Sequence, residues 1–157
     1  MWTIEPEDIW RKPRRAGISG FMRLRNEAQF LDRVMATHLS ALDELVIVHN
    51  GCTDESPEIS ARWQRRFPSK VMVYEYEPKV VPVGTSEART LDFRSPHSFA
   101  NQSNYALART NCSIAVKVDG DHIAVPRRYR KICDLVRRRL ISKTRYPIYG
   151  LNLTLFE

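Results

Sequence analysis

Hydrophobic positions along the chain fall into two kinds of block. Residues 114–118, Ile-Ala-Val-Lys-Val, form an apolar run with a single charge, the mark of a strand buried on both faces. Residues 17–24 and 45–48 are runs of the same kind, and 71–76 alternates with β-branched and aromatic side chains, so each predicts a strand. Between them the period lengthens. Phe30/Leu31, Val34/Met35, His38/Leu39 and Leu42 recur every three to four positions, which predicts a helix from Asn26 to about Leu39 with Asn26 as its cap. Residues 57–67 predict a second helix that buries Ile59, Trp63 and Phe67, and 99–109 a third, opened by Ser98. Residues 126–141 predict a strongly basic helix with Tyr129, Ile132/Cys133, Val136 and Leu140 as its stripe, and 146–156 a last strand. Residues 1–16 show no period and read as an irregular lead-in. Residues 77–97 carry Pro78, Pro82, Gly84 and Pro96 and read as a long loop, of a length that is often functional. Strands alternating with helices predict an α/β fold: a three-layer α/β/α sandwich around a mostly parallel sheet, spanning 17–157.

In such a sheet ligands sit beyond the carboxyl ends of the strands. Three polar exits would meet there: Arg23, Arg25, Asn26 and Glu27 after the first strand, His49, Asn50 and Asp54 after the second, and Asp119, Asp121 and His122 after the fourth. Asp119-Gly120-Asp121 by itself is most simply a tight turn. Two carboxylates at a bent strand end can also converge on a divalent cation that holds phosphates. The convergence of three exits favours the cation. Competing structural roles exist for single residues: Glu27 as a helix-start acid, Asp54 as a turn and cap residue, His38 as a core histidine.

Composition narrows the setting. With 43% hydrophobic residues the chain can bury a core, and it contains no apolar run long enough to span a membrane. The first residues mix acids, prolines and bases, unlike a secretory signal. Cys52, Cys112 and Cys133 are odd in number and lack metal spacing, which predicts a reducing, cytoplasmic setting. The net charge of +7 suits an anionic partner.

Taken together, strand–Arg-Asn-Glu–helix, then VIVHNGCTDES, then VKVDGDH, the chain resembles the nucleotide-binding half of family 2 glycosyltransferases, which have the GT-A fold, over residues ~17–125. The resemblance implies a nucleotide-sugar donor, UDP-linked by expectation, and Mn²⁺ or Mg²⁺. It implies substrate contacts from Arg25, Asn26, Glu27, His49, Asn50, Asp54, Asn104 and Asp119, and metal contacts from Asp119, Asp121 and His122. The helix with Asn104 and Arg109 falls where the family sets a basic or amide-bearing helix beside the diphosphate. The sugar would pass to a glycan or lipid-linked glycan, with the inner face of an anionic membrane as a further contact and no nucleic acid. His49 stands where the family often has an acid. The family's catalytic base lies well downstream of the Asp-x-Asp element. Only Asp134 and Glu157 remain there as carboxylates, so no base is assigned and the acceptor half is expected to be short or absent. The basic helix keeps an alternative open, a peripheral membrane or nucleic-acid-binding module without catalysis. A nucleotidyltransferase is disfavoured, because Arg23-Leu24-Arg25-Asn26 is not a glycine-rich phosphate loop.

Overall fold

A computed structural model describes residues 2–142 and 153–155. Its order is α1 (Pro6–Trp10), β1 (Arg15–Leu24), α2 (Ala28–His38) with a 3-10 turn (Leu39–Ala41), β2 (Glu44–His49), α3 (Ser56–Arg66), β3 (Val71–Glu75), α4 (Ser86–Thr90), α5 (Phe99–Ala108), β4 (Cys112–Lys117), α6 (Pro126–Ser142) and β5 (Leu153–Leu155). The strands form one sheet in the order β3-β2-β1-β4-β5. The first four are mutually parallel, and β5 runs antiparallel to β4 at the edge. The lead-in therefore holds a helix that its sequence concealed, and the long loop holds another. Both are five residues long, too short to display a period. Of the strand expected over 146–156, only Leu153–Leu155 falls within the described residues.

Strand alternation sorts the core into two layers. Ile18, Met22 and Leu24 of β1, Leu45 and Ile47 of β2, and Ile114 and Val116 of β4 face α2, α3 and α6. Phe21, Val46, Val48 and Ala115 face the other way, onto Tyr105 and Ala106 of α5, with Trp2 and Ile4 of the N-terminal segment against the same cluster. Helices on both faces of a parallel sheet make the three-layer sandwich. Tyr129, Cys133 and Val136 bury the apolar stripe of α6 in the first layer, where Tyr129 meets His38 edge to face at 4.7 Å.

The amino end of the sheet is closed by two acids. Glu44 is 1% exposed. It accepts hydrogen bonds from the Ser19 hydroxyl at 2.5 Å, from the Asn111 N–H and side-chain amide, and from Arg15 at 3.3 Å. Asp43 accepts from the Ile18 N–H at 2.8 Å and pairs with Arg137 of α6 at 2.9 Å. Burial pushes both carboxyls up, but these donors outweigh it and hold both below their ordinary values.

Because both values are depressed on folding, their stabilisation is complete above the ordinary carboxylate range of about 4 and fades as pH falls through the folded values. The urea midpoint should therefore hold from neutrality down to about pH 5 and fall as the pH drops further, through and below the ordinary carboxylate range. Glu44→Ala should remove part of that slope and, by stranding the Ser19 and Asn111 donors, cost about 1–3 kcal/mol for each one left unpaired. A Glu44→Ala protein with native stability and native acid sensitivity would refute this account.

Candidate functional site

At the opposite, carboxyl edge of the sheet the strand exits surround an open cleft of about 600 Å³. Its floor comes from β1 and the turn after it (Arg23, Leu24, Arg25, Glu27) and from Asn50 beyond β2. One wall is β4 and its exit (Lys117, Asp119, Gly120, Asp121, His122), and the other is the segment Val80–Val83 with Phe99 and Gln102 of α5.

Two loops are fastened together below this cleft. Asn26 stands at φ 60, in the left-handed region that asparagine tolerates better than most residues. There its side chain accepts from the Thr53 N–H at 2.7 Å and donates to the Thr53 hydroxyl at 3.1 Å. Asp54 accepts from the Ala28 N–H at 2.9 Å, and the Ser56 hydroxyl accepts from the Glu27 N–H at 2.9 Å. The start of α2 is thus capped by the neighbouring loop. Asn26 is not its cap, and Glu27, at the cap position, makes no capping bond with its side chain. Burial alone would raise the Asp54 carboxyl, but donors from Ala28 and Ser56 hold it below its ordinary value.

Gly120 brings the third exit in. A Cβ there would lie 2.5 Å from Leu24 Cδ2 and 2.8 Å from Glu27 Cγ. The residue is glycine because the backbone of the Asp-Gly-Asp turn rests directly on the exit of β1. The resulting acidic group is tight: burial first, then the charges of Asp121, Asp54 and Asp119, hold the Glu27 carboxyl above its ordinary value. Asp119 Oδ1 pairs with Lys117 Nζ at 2.6 Å. The His122 ring reaches both carboxylates, Nδ1 at 3.5 Å from Asp119 Oδ2 and Nε2 at 3.9 Å from Asp121 Oδ1. Among the described residues no three His, Cys, Asp or Glu side chains close around a common point to hold a metal unaided. Asp119 and Asp121 instead offer two hard oxygen donors at the mouth of the cleft. That donor set fits Mg²⁺ or Mn²⁺ completed by phosphate oxygens and water rather than a protein cage.

The long loop is built rather than slack. Asn50 donates to the Tyr76 and Pro78 carbonyls at 2.7 and 2.8 Å, the Tyr76 hydroxyl donates to the Pro96 carbonyl at 2.6 Å, and Val81 N–H bonds the His97 carbonyl at 2.9 Å. Asn101 links the Trp2 carbonyl and the Tyr76 hydroxyl through its amide.

Of the expected site residues, Arg25, Glu27, Asn50, Asp119, Asp121 and His122 line the cleft. Four others do not. Asn26 and Asp54 are spent on the loop fastening just described. His49 is 2% exposed and points to the α3 face, its Nε2 3.0 Å from the Ser60 hydroxyl, because its place in β2 shares a parity with Leu45 and Ile47. Burial lowers its imidazole pKa, so it stays neutral near pH 7. Asn104 misses the cleft because α5 descends away from it to reach the foot of β4, so only the first turn of α5 touches the cleft. For the same reason Arg109 lies at the far end, stacked 3.2 Å over the Tyr105 ring. Sequence reasoning passed over Lys117, Phe99 and Gln102 as site residues, and it placed Arg23 at the exit of the first strand without giving it a substrate contact. For Arg23 and Lys117 the signal was present, since a charge inside an apolar strand near its carboxyl end is itself informative. Of the two downstream carboxylates, Asp134 pairs with Arg137 at 3.1 Å on α6, and Glu157 lies outside the described residues.

The family model for beta-1,4-N-acetylgalactosaminyltransferase (CgtA) matches residues 11–150. The chain belongs to the CgtA family. Solved structures similar to this CgtA-family chain share its fold. S. aureus TarS 1-349 aligns with a TM-score of 0.54 at 15% identity, covering 79% of this chain and 33% of that one. The same protein in complex with UDP aligns at 0.52 and 14%, covering the same shares. Mannosyltransferase PcManGT from Pyrobaculum calidifontis, in complex with GDP-Man and Mn²⁺, aligns at 0.53 and 20%, covering 88% of this chain and 36% of that one. These likenesses establish a GT-A-type α/β fold. The chain spans about a third of the length of these structures. No curated protein matches it in sequence.

Gly120→Ala should shift the Asp119–Asp121 turn off Leu24 and Glu27 at a cost of about 1–3 kcal/mol, the usual penalty of an overpacked contact. A thermal midpoint equal to that of the native protein would mean that the turn has room the structure denies it.

Proposed function

We propose that this CgtA-family chain is the donor-binding part of a glycosyltransferase, taking a nucleotide sugar in the cleft at the carboxyl edge of its sheet. The observation that carries the reading is the meeting of Asp119 and Asp121 with the exits of β1 and β2 around one cleft. Leu24, Arg25 and Glu27 with Asn50 would line the base and ribose end. Asp119 and Asp121 would hold Mn²⁺ or Mg²⁺ at the diphosphate end, with His122 beside them. Bound there, the cation would offset charge on the departing nucleoside diphosphate. The protein's own part is to hold the diphosphate against fixed charges, so that the leaving group meets a preorganised site. The donor is a UDP-sugar in this reading. The family's description favours an N-acetylgalactosaminyl group, and the acceptor is a glycan or lipid-linked glycan. Three unpaired cysteines fit a cytoplasmic site of action.

Isothermal titration tests this directly. UDP and UDP-N-acetylgalactosamine should bind more tightly in Mn²⁺ than in EDTA, and Asp121→Ala should abolish that difference. Nucleotide affinity that is absent, or that ignores both metal and the substitution, would remove the basis for the proposal.

The surface of α6 supports an added role at an anionic membrane. Its apolar stripe is spent on the core, which leaves Arg127, Arg130, Lys131 and Arg138 around a shallow groove of about 480 Å³. Ile123 and Val125 stand exposed just before the helix. Among the described residues no helix is long and apolar enough to cross a membrane. Contact would be electrostatic, at about 1 kcal/mol for each basic residue near the surface, and screened by salt. Retention on phosphatidylserine vesicles should fall steeply between 50 and 500 mM NaCl, values on the order of those that shorten the Debye length severalfold. Retention that does not change with salt would exclude this mode.

A further inference from the structure

The cleft contains a cation that has no ion pair among the described residues. Arg23 is the next-to-last residue of β1 and shares a face with Ser19 and Phe21, the face covered by α5. Its guanidinium carbon lies 3.6 Å from the centroid of the Phe99 ring. Nε and Nη1 are buried and have no hydrogen-bond partner among the described residues. Asp119, the carboxylate whose charge acts on Arg23, gives its Oδ1 to Lys117 instead. Burial lowers the Arg23 pKa, and the charge of Asp119 counters this only in part. An arginine nevertheless stays charged. Buried donors of a charged group are rarely left unmet, and each exception calls for an explanation.

Phe99 supplies half of one. A ring stacked on the guanidinium fixes its plane, and a fixed planar fork suits the oxygens of a phosphate. Phe99 is itself 45% exposed, at the rim where a ligand would enter. We propose that Arg23 is the residue that pairs with the diphosphate of the bound nucleotide, with Phe99 as its platform. A small rotation of the guanidinium toward the cleft presents Nε and Nη1 to the phosphate oxygens. The assignment rests on the nucleotide-sugar reading above and adds to it a diphosphate contact that comes from the sheet itself. Lys117 does not duplicate it, because its charge is already matched by Asp119.

The test uses the whole chain and three probes: inorganic pyrophosphate, UDP and uridine, titrated into native protein, Arg23→Met and Arg23→Lys, each in Mn²⁺ and in EDTA. Arg23→Met keeps the stem and the contact with Phe99. Its thermal midpoint without ligand should equal or exceed the native one, because an unmatched buried charge is gone. UDP and pyrophosphate should bind about tenfold more weakly or worse, the loss expected for a charge-assisted pair, while uridine affinity stays unchanged. Arg23→Lys keeps the charge without the fork and should lie between the two. Native affinity of Arg23→Met for both phosphate probes overturns the assignment, as does a parallel loss of uridine binding. If native protein binds pyrophosphate through Arg23 but never binds UDP, the nucleotide reading fails while the anion site stands. Should Arg23→Met not fold, the ratio of pyrophosphate to uridine affinity in Arg23→Lys decides the same question.

Discussion

The functional edge of this protein depends on how the first turn of α2 is satisfied. A helix start leaves backbone N–H groups without partners inside the helix. Here the partners come from another loop: Asp54 takes the Ala28 N–H, Ser56 the Glu27 N–H, and Asn26 and Thr53 bind each other across the gap. Borrowing the cap from the next crossover makes the exits of β1 and β2 a single object. Gly120 then lets the exit of β4 settle directly on the Leu24 and Glu27 side chains of that object. Three loops that a chain could hold loosely are thereby fastened to one another, as a preorganised site requires.

The two ends of the sheet treat charge in opposite ways. At the amino end, Glu44 and Asp43 are matched by donors and held below their ordinary values, so ionisation there stabilises the fold. At the carboxyl end, Glu27 is held above its ordinary value by burial and by three neighbouring acids, so ionisation there costs stability. Such an imbalance is tolerated where something outside the fold removes it. A cation between the acids and an anion beside Arg23 would each remove part of it.

The succession of strands and helices, the layered parallel sheet and the place of the cleft were legible from the sequence, because they follow from period and from the rule that parallel strands need crossovers; the order of the strands within the sheet was not. The identity of several site residues was not. His49 and Arg23 lie near adjacent strand exits, yet parity sends the first beneath α3 and the second into the cleft. Counting from the buried pairs Leu45/Ile47 and Ser19/Phe21 would have separated them. The roles of Asn26 and Asp54 depend on which loop lies beside which, and no local spacing carries that. Asn104 was misplaced because a helix returning to the foot of the next strand offers only its first turn to the cleft.

The pair Lys117–Asp119 ties these observations together. Their 2.6 Å contact joins successive same-face positions at the end of β4 and its exit, so the strand itself brings the two side chains together. It keeps one carboxylate of the Asp-Gly-Asp turn neutralised while no other cation is present. A divalent ion at Asp119 would have to compete with Lys117 for an oxygen, and the displaced ammonium would be left in a cleft that already holds Arg23. Two like charges lining one cleft disfavour each other, and an anion between them would relieve that. In the proposed reading, binding of metal and binding of phosphate would therefore be coupled by the charge balance of the cleft, each offsetting charge that the other would leave, and such a coupling is reciprocal.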